Sequence, residues 1–196
     1  MIKRFMKNFG KCIIFSAPSG SGKTTLVREL LEKSELNLSF SISATTRNKR
    51  QGEINGKDYF FKSKSDFNKL IKNNQFLEFE EVYEDVFYGS LKEEVNKLLE
   101  TSNVIFDIDV IGGIKLKNFF QHDALAVFVK PPSIEELRKR LVSRASDSLE
   151  SINSRVEKAV KEIESESSFD VTIINNDLIT AKKESYNIVK NFLINE

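Results

Sequence analysis

The sequence predicts an α/β fold, a parallel β-sheet flanked by helices, and two features support this prediction. An apolar run at residues 12–16 leads directly into a glycine-rich loop, and a helical apolar pattern follows the loop. From residue 91 onwards, short apolar runs again alternate with helical patterns. Strands that alternate with helices in this way are typical of parallel sheets with helices on both faces.

The first half of the chain contains this loop and then an irregular stretch. The helix after the loop carries one apolar face, formed by Leu26, Val27, Leu30 and Leu31. A second strand is expected at about 39–43. Residues 44–90 lose the regular alternation and contain aromatic and charged residues in short runs. We therefore expect an inserted, strand-rich subdomain there.

The second half returns to the regular alternation. Ser133 with Glu136 forms a capping box after Pro131-Pro132, which predicts the start of a helix. The other expected elements are a helix at about 91–99, strands at 103–108 and 124–129, a helix after Gly112-Gly113, a polar loop at 143–152, an amphipathic helix through 156–163, a strand near 171–174 and a C-terminal helix.

The composition of the chain argues against some classes of binding partner and cellular location. The chain has 196 residues and a formal net charge of +1, so it has no basic field for nucleic acid or an anionic membrane. Cys12 is the only cysteine, which excludes an internal disulfide and favours a reducing compartment. The apolar run after the basic N-terminus is too short for a signal peptide or a membrane span. We expect a cytoplasmic protein.

The segment Ser16–Thr25, SAPSGSGKTT, matches the phosphate-binding pattern G-x-x-x-x-G-K-[ST] at every fixed position except the first, where Ala17 replaces glycine. Glycines let successive backbone N–H groups converge on anionic oxygens, and the following helix adds its N-terminal dipole. Lys23 is expected to contact the β- and γ-phosphates, and the Thr24 hydroxyl is expected to bind Mg²⁺. Alanine is acceptable at position 17 if its φ is negative.

A second cluster, Ser43–Phe61, reads SATTRNKRQGEINGKDYFF and contains two arginines three residues apart. Guanidinium groups bind phosphate in a bidentate manner. The segment resembles the acceptor-site pattern of guanylate kinase, S-x-T-T-R-x-x-R-x-G-E-x-x-G-x-D-Y, at each fixed position. The resemblance extends through FLEFEEVYEDVFYGS, FDIDVIGG, PPSIEELRKRLVSR, SINSR and FDVTIINND, from residue 76 to residue 177, and so covers most of the chain.

This resemblance implies a P-loop nucleoside monophosphate kinase fold. Its core would comprise about 1–43, 91–130 and 168–196, its GMP-binding subdomain about 44–90 and its helical lid about 131–167. The implied activity is in-line transfer of the γ-phosphoryl group of ATP to GMP, and also to dGMP, with Mg²⁺ as cofactor. We expect these nucleotides as partners, and the oligomeric state stays open.

The resemblance also implies a role for each matching residue. ATP binding falls to Ala17, Pro18, Ser19, Gly20, Ser21, Gly22, Lys23, Thr24, Thr25 and Asn175. GMP binding falls to Ser43, Arg47, Arg50, Tyr59, Glu78, Tyr88, Ser90 and Asp109. Catalysis falls to Lys23, Arg47, Arg140, Arg144 and Arg155, of which the last three are lid arginines. Mg²⁺ binding falls to Thr24 and, through water, to Asp107.

Glu78 matches the guanine-binding glutamate of the family. An ionised carboxylate accepts hydrogen bonds from the adjacent N1–H and N2–H₂ groups of guanine, whereas adenine presents a lone pair at N1. Two assignments have alternatives. Asp109 contacts the acceptor nucleotide, orients an arginine or caps the next helix, and Asn175 contacts adenine or forms a turn. Ile111 and Ala145 depart from the family pattern, which often has glutamine and glycine there.

Two other functions are compatible with such a fold. One is a monophosphate kinase for AMP or dTMP, and Glu78 with Ser43 and the two arginines argues against it. The other is a catalytically inactive guanylate kinase-like binding module. Such a module is expected to lose the phosphate loop or the lid arginines, whereas this chain retains Lys23, Thr24 and all three arginines.

Overall fold

The protein is described here by a computed structural model that covers residues 10–143 and 148–194. The strands are β1 Cys12–Ser16, β2 Leu38–Phe40, β3 Ala44–Thr45, β4 Phe60–Phe61, β5 Phe76–Tyr83, β6 Val86–Leu91, β7 Asn103–Ile108, β8 Ala124–Lys130 and β9 Val171–Ile174. The helices are α1 Lys23–Leu31, α2 Lys64–Lys72, α3 Lys92–Leu99, α4 Val110–Phe120, α5 Ile134–Ser143, α6 Leu149–Ile163 and α7 Leu178–Ile194.

Five strands form a sheet in the order β2-β7-β1-β8-β9, and every pair in it is parallel. Side chains alternate between the two faces of each strand. Ile13 and Phe15 therefore join a core with α1 and α7, while Cys12 and Ile14 join a second core with α3 and α4. The prediction of a parallel sheet covered by helices on both faces is confirmed. Burial raises the pKa of the Cys12 thiol, so Cys12 acts as a buried apolar residue.

The remaining strands form a second sheet in the order β4-β3-β6-β5. Antiparallel β5 and β6 place Glu78 opposite Ser90. Helix α2 packs on this sheet through Phe67, which stacks on Phe76 with ring centroids 4.5 Å apart. Residues 44–90 are thus rich in strands, as predicted, but they also contain a helix that the sequence analysis did not assign. The Ser63 hydroxyl caps that helix by accepting from the Asp66 N–H.

Three expected boundaries differ from the structure. Strand β2 ends at Phe40, short of the predicted residue 43. Helix α4 already begins at Val110 and contains both glycines, because the Asp109 side chain caps it. Helix α6 begins at Leu149, inside the predicted polar loop, because the Ser148 hydroxyl accepts from the Ser151 N–H. The predicted cap of α5 is present, since the Glu136 N–H donates to the Ser133 hydroxyl.

Within residues 10–143 and 148–194, no helix combines the length and the apolar character that crossing a membrane requires.

The small core under the second sheet yields a stability prediction. Phe67 is fully buried between α2 and the sheet. Replacing it with alanine leaves a cavity, so Phe67→Ala should lower the free energy of unfolding by about 3–5 kcal/mol in chemical denaturation. Phe119→Ala is the matched control, because the Phe119 side chain is 55% exposed. Equal losses in the two variants would contradict the packing described here.

Candidate active site

Strands β1 and β7 are neighbours and end at the same edge of the parallel sheet, where α/β proteins bind ligands. A cavity of about 420 Å³ lies at this edge. The whole loop from Ala17 to Thr25 lines it. The other sequence-predicted residues that line it are Ser43, Arg50, Tyr59, Tyr88, Asp107, Asp109 and Arg155. The cavity therefore brings the phosphate loop together with residues from the second sheet and from α6.

The loop between β1 and α1 has the backbone that its glycines permit. Gly20 and Gly22 adopt positive φ values of 96° and 91°. A Cβ atom at Gly22 would lie 2.3 Å from Nδ2 of Asn175, so glycine is required there for close approach as well. The same Nδ2 donates to the Ser21 carbonyl at 2.7 Å. Ala17 does not have a positive φ, so alanine fits the first position of the pattern.

Lys23, the first residue of α1, forms an ion pair with Asp107 at the end of β7. Its Nζ lies 2.7 Å from Asp107 Oδ1 and also donates to the Ile108 carbonyl. Both side chains are about 15% exposed. The pair therefore holds a cation and an anion at the sheet edge, next to the N-terminus of α1.

Asp109 caps α4 in this structure. Its Oδ1 accepts from the Gly112 N–H at 2.8 Å, and its carbonyl accepts from the Ser16 hydroxyl at 3.1 Å. Because a carboxylate has several acceptor positions, this cap leaves Asp109 able to accept from a ligand in the cavity that it lines. The capping role left open by the sequence analysis is therefore present, and the nucleotide contact stays a prediction.

The two arginines of the Ser43–Phe61 segment have different surroundings. Arg50 is exposed and lines the cavity. Arg47 is half-buried, and its guanidinium lies over the Tyr59 ring, 5.2 Å from the centroid. Its Nε donates to the Tyr88 hydroxyl at 3.2 Å, while the two terminal nitrogens donate to Glu53. Only Arg50 therefore presents its side chain directly to the cavity.

Glu78 is 5% exposed and lies beside the start of α4, where a Cβ atom at Gly112 would come within 3.1 Å of its Oε2. Burial raises the pKa of Glu78 to about 7; the Asp109 charge adds to this rise, whereas nearby Ser90 and Lys115 oppose it. Neither Glu78 Oε1 nor the Ser90 hydroxyl completes a hydrogen bond within the described part of the chain. This acceptor therefore lacks a protein donor.

Residues 131–167 contribute one arginine to the cavity and a second arginine that contacts a neighbour of the phosphate loop. Arg155 on α6 lines the cavity. Arg140 on α5 donates to the Asn175 carbonyl at 3.0 Å and to Glu136 at 3.1 Å. Since Asn175 also contacts the loop, Arg140 is linked to the loop through it. Arg144 and Ala145 lie outside the described residues.

Four residues that line the cavity were not predicted from the sequence: Val82, Ile108, Lys158 and Glu162. Lys158 and Glu162 follow Arg155 by three and seven positions on α6, so all three lie on one face of the helix. Helical spacing from Arg155 could have identified them. Conversely, five predicted site residues do not line this cavity: Arg47, Glu78, Ser90, Arg140 and Asn175.

The surroundings of Thr24 and Asp107 agree with Mg²⁺ rather than with a metal held by protein alone. Within residues 10–143 and 148–194, no three His, Cys, Asp or Glu side chains gather into a metal-binding cluster. Mg²⁺ commonly binds to one or two protein oxygens, several waters and substrate phosphates. A hydroxyl and a carboxylate beside a phosphate loop are enough for that chemistry.

The fold and the loop together define a P-loop α/β protein with a cavity beside the loop at the sheet edge. A family model described as guanylate kinase matches residues 9–196. A guanylate kinase of Bacteroides thetaiotaomicron is 52% identical over 95% of this chain and 92% of the relative. One of Porphyromonas gingivalis is 50% identical over 93% and 98%. The chain belongs to the guanylate kinase family.

A solved structure agrees with this result. The crystal structure of guanylate kinase from Anaplasma phagocytophilum superposes with a TM-score of 0.77 at 28% sequence identity. The match covers 96% of this chain and 89% of that one. The resemblance predicted from the sequence motifs is therefore confirmed over nearly the full length.

The raised pKa of Glu78 makes stability depend on pH. Its pKa is about 7 in the folded protein against an ordinary value of 4.5, so its contribution to stability is present below about pH 4.5 and is lost as the pH rises through 7. Raising the pH from about 5 to about 8 should lower the free energy of unfolding by about 1–3 kcal/mol more in the ligand-free protein than in Glu78→Gln. Parallel pH profiles for the two proteins would contradict a buried neutral carboxyl.

Proposed function

We propose that the chain catalyses transfer of the γ-phosphoryl group from ATP to GMP, with GDP and ADP as products. One observation carries this proposal beyond family membership. The phosphate loop and the acceptor residues Ser43, Arg50, Tyr59 and Tyr88 line the same cavity. A phosphoryl donor bound on the loop would therefore face an acceptor bound by those residues, as direct transfer requires.

On the donor side, the loop binds the phosphates of ATP through backbone N–H groups and the N-terminus of α1. Lys23 contacts the β- and γ-phosphates. Thr24 and Asp107 would hold Mg²⁺, Asp107 through water. Held there, Mg²⁺ would supply positive charge against the negative charge of the phosphates.

On the acceptor side, Arg50 and the phenols of Tyr59 and Tyr88 bind the phosphate of GMP. Glu78 accepts from N1–H and N2–H₂ of guanine, while the Ser43 and Ser90 hydroxyls contact the other edge atoms of the base. A ligand with two adjacent donors satisfies the acceptor Glu78 Oε1, which lacks a protein donor. Adenine offers no donor at N1, so this site selects against AMP.

The chemistry needs no general base, because the attacking oxygen belongs to a phosphate that is already anionic. The protein aligns the two phosphates and compensates their charge. Arg155 reaches the cavity in this structure. We propose that the lid, residues 131–167, and the GMP-binding subdomain, residues 44–90, close over the nucleotides and bring Arg140 and Arg144 to the transferring group.

The function is tested by measuring ADP formation with ATP and each of GMP, AMP, dTMP and CMP. GMP should support turnover, whereas AMP, dTMP and CMP should not. When dGMP is supplied instead of GMP, it should support turnover too. Lys23→Ala should lower kcat at least about a hundredfold, because it removes the cation that stabilises the negative charge on the phosphates in the transition state. Lys33→Ala, which removes a lysine paired with Glu29 outside the cavity, is the control. Turnover with AMP but not with GMP would overturn the assignment.

The role of Glu78 is tested by Glu78→Gln, which removes the charge and keeps the size of the side chain. KM for GMP should rise about tenfold or more, because charge-assisted hydrogen bonds to guanine are lost, while KM for ATP should stay the same. KM for GMP in the unchanged protein should also fall as the pH rises through about 7, the pKa of Glu78. An equal loss of ATP affinity would show that Glu78 serves the fold instead.

A further inference from the structure

We propose that Glu53 is a positioning residue that sets the phosphate end of the acceptor site by holding both arginines of the Ser43–Phe61 segment. This inference rests on the proposed function, because it concerns the same GMP phosphate. It begins from a difference within that segment: Arg50 lines the cavity, whereas Arg47 does not.

The hydrogen bonds of Arg47 show why its side chain turns away. Nη2 donates to Glu53 Oε1 at 2.7 Å and Nη1 donates to Glu53 Oε2 at 3.1 Å, so the carboxylate occupies the fork of the guanidinium. Nη1 also donates to the Asn48 carbonyl at 2.8 Å, and Nε donates to the Tyr88 hydroxyl at 3.2 Å. A guanidinium has five N–H groups. These contacts leave one N–H group, on Nη2, without an acceptor among the described residues.

Glu53 is itself anchored by the backbone. Its Oε2 accepts from the Arg50 N–H at 2.7 Å, so one carboxylate fixes the Arg47 side chain and the Arg50 main chain at once. The Arg47 and Glu53 side chains are only 15% and 19% exposed, which reduces competition from water. Hydrogen bonds from Arg47 lower the pKa of Glu53, so Glu53 stays ionised at neutral pH.

This arrangement divides the work between the two arginines. Arg50 keeps its whole fork for the phosphate, while Arg47 offers one N–H and its charge and holds the Tyr88 phenol in place. The guanidinium packs on Tyr59 as well, 5.2 Å from the ring centroid. Glu53 thus orders two phenols and one arginine before GMP arrives, which reduces the entropy lost on binding.

The opposite effect is also physically possible. The carboxylate of Glu53 is an anion near the site of an anionic phosphate, so its removal strengthens the electrostatic attraction. We expect the loss of positioning to outweigh this electrostatic gain, because three donors hold Glu53 and keep it from moving freely toward the cavity.

The test compares Glu53→Gln with Asp85→Asn. The control removes the same charge from the same subdomain, where Asp85 pairs with Lys64 at an exposed turn. Wild-type binding of GMP, measured by calorimetry, tests the proposed function by itself. Given that binding, Glu53→Gln should raise Kd for GMP about tenfold and leave Kd for guanosine and for ATP within about twofold. Asp85→Asn should change none of the three.

A double-mutant cycle decides whether Glu53 acts through Arg47. In an Arg47→Ala background, Glu53→Gln should raise Kd for GMP by less than about twofold, because the partner is already gone. If Glu53→Gln fails to fold, Glu53→Asp keeps the charge but cannot span the fork, and an intermediate rise is expected. The proposal is overturned by tighter GMP binding, by an equal loss of guanosine binding, or by additive effects in the cycle.

Discussion

The ion pair between Lys23 and Asp107 is the interaction on which the site depends. The register of the parallel sheet places Asp107 opposite Phe15, one residue before β1 ends, so the acid lies at the edge from which the loop departs. The loop then returns Lys23 to that acid as the first residue of α1. Each largely shielded charge is the counterion of the other, which avoids the cost of an unpaired charge at the edge of the core. Under the proposed function, phosphates and Mg²⁺ offer the two groups new partners of opposite charge.

A second set of contacts joins the second sheet, through β5, to helix α4. Lys115 on α4 donates to the Phe79 carbonyl and pairs with Glu80, and both acceptors lie on β5 next to Glu78. The absence of a side chain at Gly112 permits this close approach, because a Cβ there would crowd Glu78 Oε2. Contacts with α4 thus help to position the part of β5 that carries Glu78.

Sequence patterns predicted the parts of the fold that have strong periodicity or a known loop geometry. The bounds of β7 and β9 were predicted to the residue, because short runs rich in apolar and β-branched residues between polar segments are typical of strands. Helix α2 was missed although Phe67, Leu70 and Ile71 have helical spacing, because this apolar face is short and lies within a stretch of aromatic and charged residues without regular alternation. The start of α6 was missed because its serine cap looks like loop composition. The pairing of Arg47 with Glu53 depends on a turn without periodicity, so only the folded chain reveals it.

Two of the buried polar atoms without partners lie opposite each other on β5 and β6. Within residues 10–143 and 148–194 there are four, on Ser21, Ser41, Glu78 and Ser90. Folded proteins satisfy nearly all such atoms, and the exceptions tend to occur at functional sites. Ser21 belongs to the phosphate loop, and Glu78 faces Ser90 across β5 and β6. Glu78 Oε1 and the Ser90 hydroxyl are buried without completed hydrogen bonds, although Ser90 lies close enough to lower the pKa of Glu78. A ligand with polar edges supplies what they lack, because guanine has donors for the carboxylate and acceptors for the hydroxyl. Under the proposed function, guanine binding would relieve the cost of these unpaired atoms and so favour this base over one without adjacent donors.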